Sequence, residues 1–174
     1  IQAVNREDFD VGQLEEVIKR DVAFSYKLFK YINSAWFGFR SRIESIRQAV
    51  VLLGKAELGR WVSLVTMRDI SQDKPAELLV TAIVRGRLCE QIALAAGSPR
   101  EGPPAFVTGM FSLLDALLDR PLADILAELS LAPAVAAALR GQEGFLGSVL
   151  ALARAYEQAD WSALKARCQA LAVP

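Results

Sequence analysis

Apolar positions recur along this chain at the three-to-four spacing of helices, and nowhere do they alternate as in strands. Asp10 with Gln13 forms a capping box that opens a helix through about Lys19. Asp21 caps the next helix, which carries Phe24, Leu28, Tyr31 and Ile32 as far as Asn33. Ser45 with Gln48 makes a second capping box. Beyond it Ile46, Ala49, Val50 and Leu53 fall at i, i+3, i+4 and i+7, one face of a helix. Gly54 then stands where a left-handed residue would end that helix.

The same spacing predicts a helix from about Ala56 to Ile70, with Leu58, Val62 and Val65 inward. Ser71 to Pro75 is a polar break, and Pro75 suits the first turn of a long helix that Gly97 stops after about Ala96. Ser98 to Pro104 is the plainest loop in the chain. It reads as a surface connection and not a domain linker, because neither half has a self-contained pattern. Further helices are predicted at about Ala105–Leu118, Leu122–Glu128, Ala134–Leu139 and Phe145–Tyr156, and Asp160 caps a last one carrying Trp161, Leu164 and Leu171. The expected fold is all-α: one compact domain of about ten helices over residues 1–174.

Composition narrows the function. At 174 residues, 53% apolar and 23% charged, the chain is globular, and a domain of this size buries roughly 70% of its unfolded surface. Twenty basic residues balance twenty acidic ones, which leaves no electrostatic footprint for nucleic acid or an anionic membrane. No apolar run reaches the ~18 to 20 residues that span a bilayer. Cys89 and Cys168 are far apart and outside any Cys-x-x-Cys pair, as expected of reduced thiols in a cytoplasmic protein. Ile1 in place of Met suggests a piece of a longer protein. The chain contains no histidine at all.

The stretch Leu28 to Gly54, with Asn33-Ser34, Gly38, Ile43, Ser45-Ile46, Ala49 and Leu53-Gly54, resembles the HDOD domain, a relative of the HD and HD-GYP phosphohydrolases. A second patch, Ala105 to Asp115, resembles the family's Ala-Phe-x-x-Gly-Leu-Leu-His-Asp helix, with Ser112 and Leu113 where a metal-binding His-Asp pair would stand. The pattern Leu113 to Leu118, Arg120-Pro121-Leu122, Ala155-Tyr156-Glu157 and Asp160-Trp161 is similar to the subset in which an HDOD domain follows an EAL domain. EAL domains are cyclic-di-GMP phosphodiesterases or their inactive relatives. The resemblance implies an HD-like helical fold and a role in bacterial signalling.

HD-type hydrolysis needs imidazoles and carboxylates converging on metal ions that activate a water. Without histidine only carboxylates remain. Asp115 and Asp119, at i and i+4, would share a helix face and could contribute to an oxygen-only site, but two ligands are few and their leucine neighbours look like core. The bland alternative pairs Asp115 with an arginine or a helix end and leaves Asp119 in solvent. Cys89 has no apparent base to activate it, and the chain has no phosphate-cradling glycine loop. The expectation is therefore no enzyme, no cofactor and no metal.

Between the second and third helices Trp36, Phe37 and Phe39 are unusually apolar for a connection. They either fold into the core, with Gly38 supplying the turn and Asn33 tolerating a left-handed helix end, or form an exposed docking patch that Trp61 extends. Arg40, Arg42 and Arg47, with Lys55 and Arg60, either bind a phosphate or form a solvated face balanced by Glu44 and Glu57; Arg85 and Arg87 invite the same two readings. The function expected from the resemblance is regulation or oligomerisation of an attached EAL domain, or contact with another signalling protein or a second copy. The alternatives are a small-ligand or nucleotide sensor built on the vestigial metal pocket, and a degenerate phosphohydrolase.

Overall fold

Every regular element among the described residues is helical, as the apolar spacing predicts. The computed structural model describes residues 11–34, 37–39, 43–70, 73–129 and 131–173. The helices are α1 (Val11–Lys19), α2 (Val22–Ile32), α3 (Ile46–Ile70), α4 (Ala76–Ala95), a 3-10 turn at Pro99–Glu101, α5 (Gly102–Phe111), α6 (Leu114–Leu118), α7 (Leu122–Glu128), α8 (Pro133–Leu139), α9 (Phe145–Glu157) and α10 (Trp161–Leu171). No described helix is long and apolar enough to cross a membrane.

Local signals account for most boundaries. The Asp21 carboxylate accepts from the Phe24 amide at 3.0 Å and opens α2, and Asp160 accepts from Ala163 at 3.0 Å and opens α10. At the start of α3 the Gln48 amide reaches the Ser45 hydroxyl at 3.4 Å, a long version of the predicted cap. Asp10, and with it the first capping box, lies outside the described residues. Gly54 adopts φ +68° and ψ 171°, a conformation open essentially to glycine alone. It breaks the helical geometry as expected, yet the helix resumes at once, so the two predicted helices form one kinked element.

Two boundaries differ from the sequence reading. Ser98–Pro104 is not a free surface loop: its first half is the 3-10 turn, and the buried Gly102 begins α5. Prolines are tolerated in a first turn, where the missing N–H has no intrahelical partner. The helix expected over Ala105–Leu118 stops at Phe111 and restarts at Leu114, with Ser112 and Leu113 in a turn between α5 and α6.

The chain divides into two compact units, Ile1–Trp61 and Val62–Pro174, and the division falls within the residues of α3. In the first unit Ile18, Leu28, Ile32, Ile43, Ala49 and Val50 are buried. In the second, α4 and α5 make the most intimate helix pair. A Cβ at Gly109 would stand 2.7 Å from the Arg85 carbonyl oxygen and 2.8 Å from the Cys89 sulphur; one at Gly86 would stand 2.9 Å from the Phe106 carbonyl oxygen. Two glycines facing one another thus let the backbones approach to a distance no larger residue permits. Phe106 lies against Gly86, and with Met110 and Phe111 of α5 it is fully buried. Helix α9 packs on α4, α5 and α8, and α10 packs on α9.

Candidate functional site

In the first unit the connection after α2 is organised by Asn33. Its Nδ2 donates to the Phe29 carbonyl at 3.0 Å and the Ile43 carbonyl at 2.9 Å, while its Oδ1 accepts from the Ile43 amide at 2.7 Å. The side-chain amide pairs with the backbone of Ile43 as a neighbouring strand would, tying together residues ten apart. The expected left-handed conformation is absent: Asn33 has φ −88° and ψ 9°. Its value lies in its amide. An Asn at a helix end signals a cap from sequence; only the fold shows the distant partner. Gly38 does take the left-handed turn, with φ +60°, and Ser34 accepts at its carbonyl from the Phe37 amide.

The aromatics run inward from this connection. Phe39 stacks on Phe37 with centroids 5.9 Å apart, Phe37 meets the edge of Tyr31 at 5.1 Å, and Tyr31 and Phe24 both contact Trp61, at 6.2 and 4.7 Å. Trp61 is 3% exposed, so its proposed place in a docking patch is corrected. It lies one turn from Leu58 on the inward face and anchors the aromatic run. Phe37 is half-buried and Phe39, at the outer end, is 41% exposed. Trp36 lies outside the described residues, as do Arg40 and Arg42. Glu57 accepts from the Tyr31 hydroxyl and pairs with Arg60, and Arg47 approaches Glu15 at 3.9 Å. Leu53, from the resemblance-bearing stretch, is half-buried on the predicted face of α3.

In the second unit the positions corresponding to the metal pair part company. Ser112 is buried and Leu113 half-buried. The Ser112 hydroxyl donates to the Gly109 carbonyl at 2.7 Å and accepts from Arg85 Nη1 at 2.8 Å. The remaining guanidinium N–H groups of Arg85 grip Glu157 of α9, Nε at 2.9 and 3.0 Å and Nη2 at 2.7 Å. At Ser112, one of the two positions expected to be vestigial, the chain has a charge-assisted network joining α4, the end of α5 and α9. From sequence Arg85 reads as a phosphate-binding or solvated cation, and its actual partner is hidden because it lies 72 residues away.

The carboxylate pair does not converge. Asp115 is exposed and accepts from the adjacent Ala116 amide. Asp119 follows the end of α6 in a left-handed conformation, φ 52° and ψ 39°, and pairs with Lys74. Because α6 ends at Leu118 and Asp119 turns left-handed, the two lack the common face that a continuing helix would give. Among the described residues no three His, Cys, Asp or Glu side chains group where they could hold an ion. Arg87 pairs with Glu90 at 2.8 Å and lies 5.4 Å over the Phe106 ring.

Both cysteines are free. Burial pushes the Cys89 thiol up to about 12, against a smaller lowering by Arg85, so it is a neutral packing group near neutrality. With Cys89 buried and Cys168 partly exposed, a thiol reagent at pH 8 is expected to titrate one of the two promptly. The second should follow only on unfolding; two rapid equivalents would contradict the closed packing around Cys89.

The fold defines an all-α helical module of the HD-like kind. The HDOD domain pattern matches residues 1–118, and the chain belongs to the HDOD family. Over 161 residues it is 37% identical to the cyclic di-GMP phosphodiesterase CdgJ of Vibrio cholerae, a match covering 92% of this chain and 37% of that protein. Over 164 residues it is 32% identical to the uncharacterized protein YuxH of Bacillus subtilis, covering 92% of this chain and 40% of that protein. The chain thus spans about two fifths of the length of these relatives. No solved structure matches. The expectation that the chain is no enzyme is overturned by the Vibrio relative, which is named for a hydrolytic activity. The absence of histidine bears only on ligands within these 174 residues, too narrow a basis for excluding an enzyme.

Proposed function

We propose that this chain is the HDOD portion of a cyclic-di-GMP signalling protein and regulates hydrolysis of that dinucleotide by contact with an EAL domain in the same polypeptide. The observation that carries the reading is the match of nearly the whole chain to about two fifths of a protein named a cyclic di-GMP phosphodiesterase. The surface we assign to the contact is the outer end of the aromatic run. Phe39 is 41% exposed yet held in place by stacking on Phe37, and a pre-ordered aromatic loses little entropy on docking. Binding there would shift the partner between states of different activity.

The test is cyclic-di-GMP hydrolysis by the full-length protein carrying Phe39→Asp, compared with the unaltered protein. A several-fold change in rate, with helicity and melting temperature unchanged, is expected. An unchanged rate would overturn the assignment of this surface. An unchanged rate on removal of the whole segment as well would overturn the regulatory reading.

A further inference from the structure

Beyond residue 118, outside the part matched by the family pattern, helices α8, α9 and α10 line an open cavity of about 340 Å³. That is near the lower end of the range, about 300–1,000 Å³, occupied by small-molecule sites. Two arginines from different helices are among its lining residues, Arg154 of α9 and Arg167 of α10, together with Gln142 and Gln158, all four exposed to solvent. Glycine and alanine make up most of the remaining wall. Gly147 allows the Gln142 carbonyl to sit where a Cβ would be only 2.6 Å away, so the loop bearing Gln142 is packed closely against α9.

The charges of this cavity are not internally balanced. Arg85, Arg87 and Arg120 are each committed to a carboxylate, whereas Arg154 and Arg167 make no ion pair among the described residues. The natural partner of Arg154 is Glu157, three residues on along the same helix. Glu157 is instead gripped by Arg85 through three hydrogen-bond contacts of 2.7–3.0 Å. Asp160, the acid on the cavity wall, uses an oxygen to cap α10. Two like charges beside one small concavity repel one another, and an anion between them relieves that repulsion while accepting from both planar donor sets.

We infer that the α8–α9–α10 cavity binds a phosphate-bearing small molecule, held by Arg154 and Arg167 with Gln142 and Gln158 as further donors. The inference is independent of the reading of Phe39. Its test is calorimetric titration of the intact protein with inorganic phosphate, pyrophosphate and GMP, alongside R154Q/R167Q and a control, R20Q/R100Q, that removes the same charge away from the cavity. Expected is saturable binding of at least one probe in the unaltered and control proteins, weakened tenfold or more in R154Q/R167Q. Preference for GMP over the inorganic probes would mark a nucleotide, and the reverse a free phosphate. Equal binding by all three proteins, or equal loss in both variants, would overturn the site, as would saturable binding of none of the probes.

Discussion

Replacing Gly109 with alanine is expected to destabilise the protein by about 2–3 kcal/mol, the upper part of the usual range for overpacking a well-filled core. The new methyl would meet the Arg85 carbonyl oxygen at 2.7 Å, the Cys89 sulphur at 2.8 Å and the Gly86 Cα at 2.9 Å. Two of these three are backbone atoms of α4 and cannot turn aside, so α4 and α5 must separate. The cost exceeds the gain of roughly 1 kcal/mol that alanine brings to a helix interior. A loss of about 5–10 °C in melting temperature would accompany it. Removing the sulphur as well, in G109A/C89A, should recover only part of the loss because the Arg85 carbonyl remains. Gly102→Ala is the control: its added Cβ would lie 3.7 Å from the Glu90 side chain, in ordinary contact, and stability should hold or rise slightly. Equal effects of G109A and G102A on thermal unfolding would refute the close-approach account.

Asn33→Ala should cost about 2–3 kcal/mol, since it removes three hydrogen bonds worth about 1 kcal/mol each and exposes the Ile43 and Phe29 backbone groups to incomplete pairing. Asn33→Asp is expected to do no better. It retains an acceptor for the Ile43 amide but loses both Nδ2 contacts, and sets a carboxylate against the Ile43 carbonyl oxygen that now accepts at 2.9 Å. Asn33→Gln, with one methylene too many, should not restore the pairing. Chemical denaturation of the three variants checks this, and near-native stability in N33D would show that the bridge carries little weight. Because Phe37 and Phe39 lie between the two tied residues, the same variants should loosen the aromatic run and broaden the near-ultraviolet signal.

Much of the helical frame was legible because its signals are local. Asp21 and Asp160 cap the helices that follow them, and Gly54 supplies a positive φ at the predicted point. Those features depend on residues within a turn of one another, where backbone sterics and short hydrogen bonds dominate. The candidate site was less legible. Trp61 looked like an extension of a surface patch, but its neighbours Phe24 and Tyr31 come from another helix and bury it. The continuous helix expected through Ser112 breaks there, and the hydroxyl joins a network whose carboxylate, Glu157, is on α9. Ala159 illustrates a signal that composition conceals: it is left-handed at φ 54° just past the end of α9 without the glycine that usually marks such a position.

An all-helical chain, the caps that start its helices, and the family resemblance of the Leu28–Gly54 stretch can all be read from the order of residues alone. Each of these depends on residue identity at short spacing. Folding in three dimensions makes Asn33 a bridge to Ile43, seats two helices against one another at Gly86 and Gly109, and gives Glu157 to Arg85 in place of Arg154. Those outcomes depend on which distant groups meet, and a side chain's partner across 10 or 72 residues is fixed by packing. Spacing along the chain does not set it.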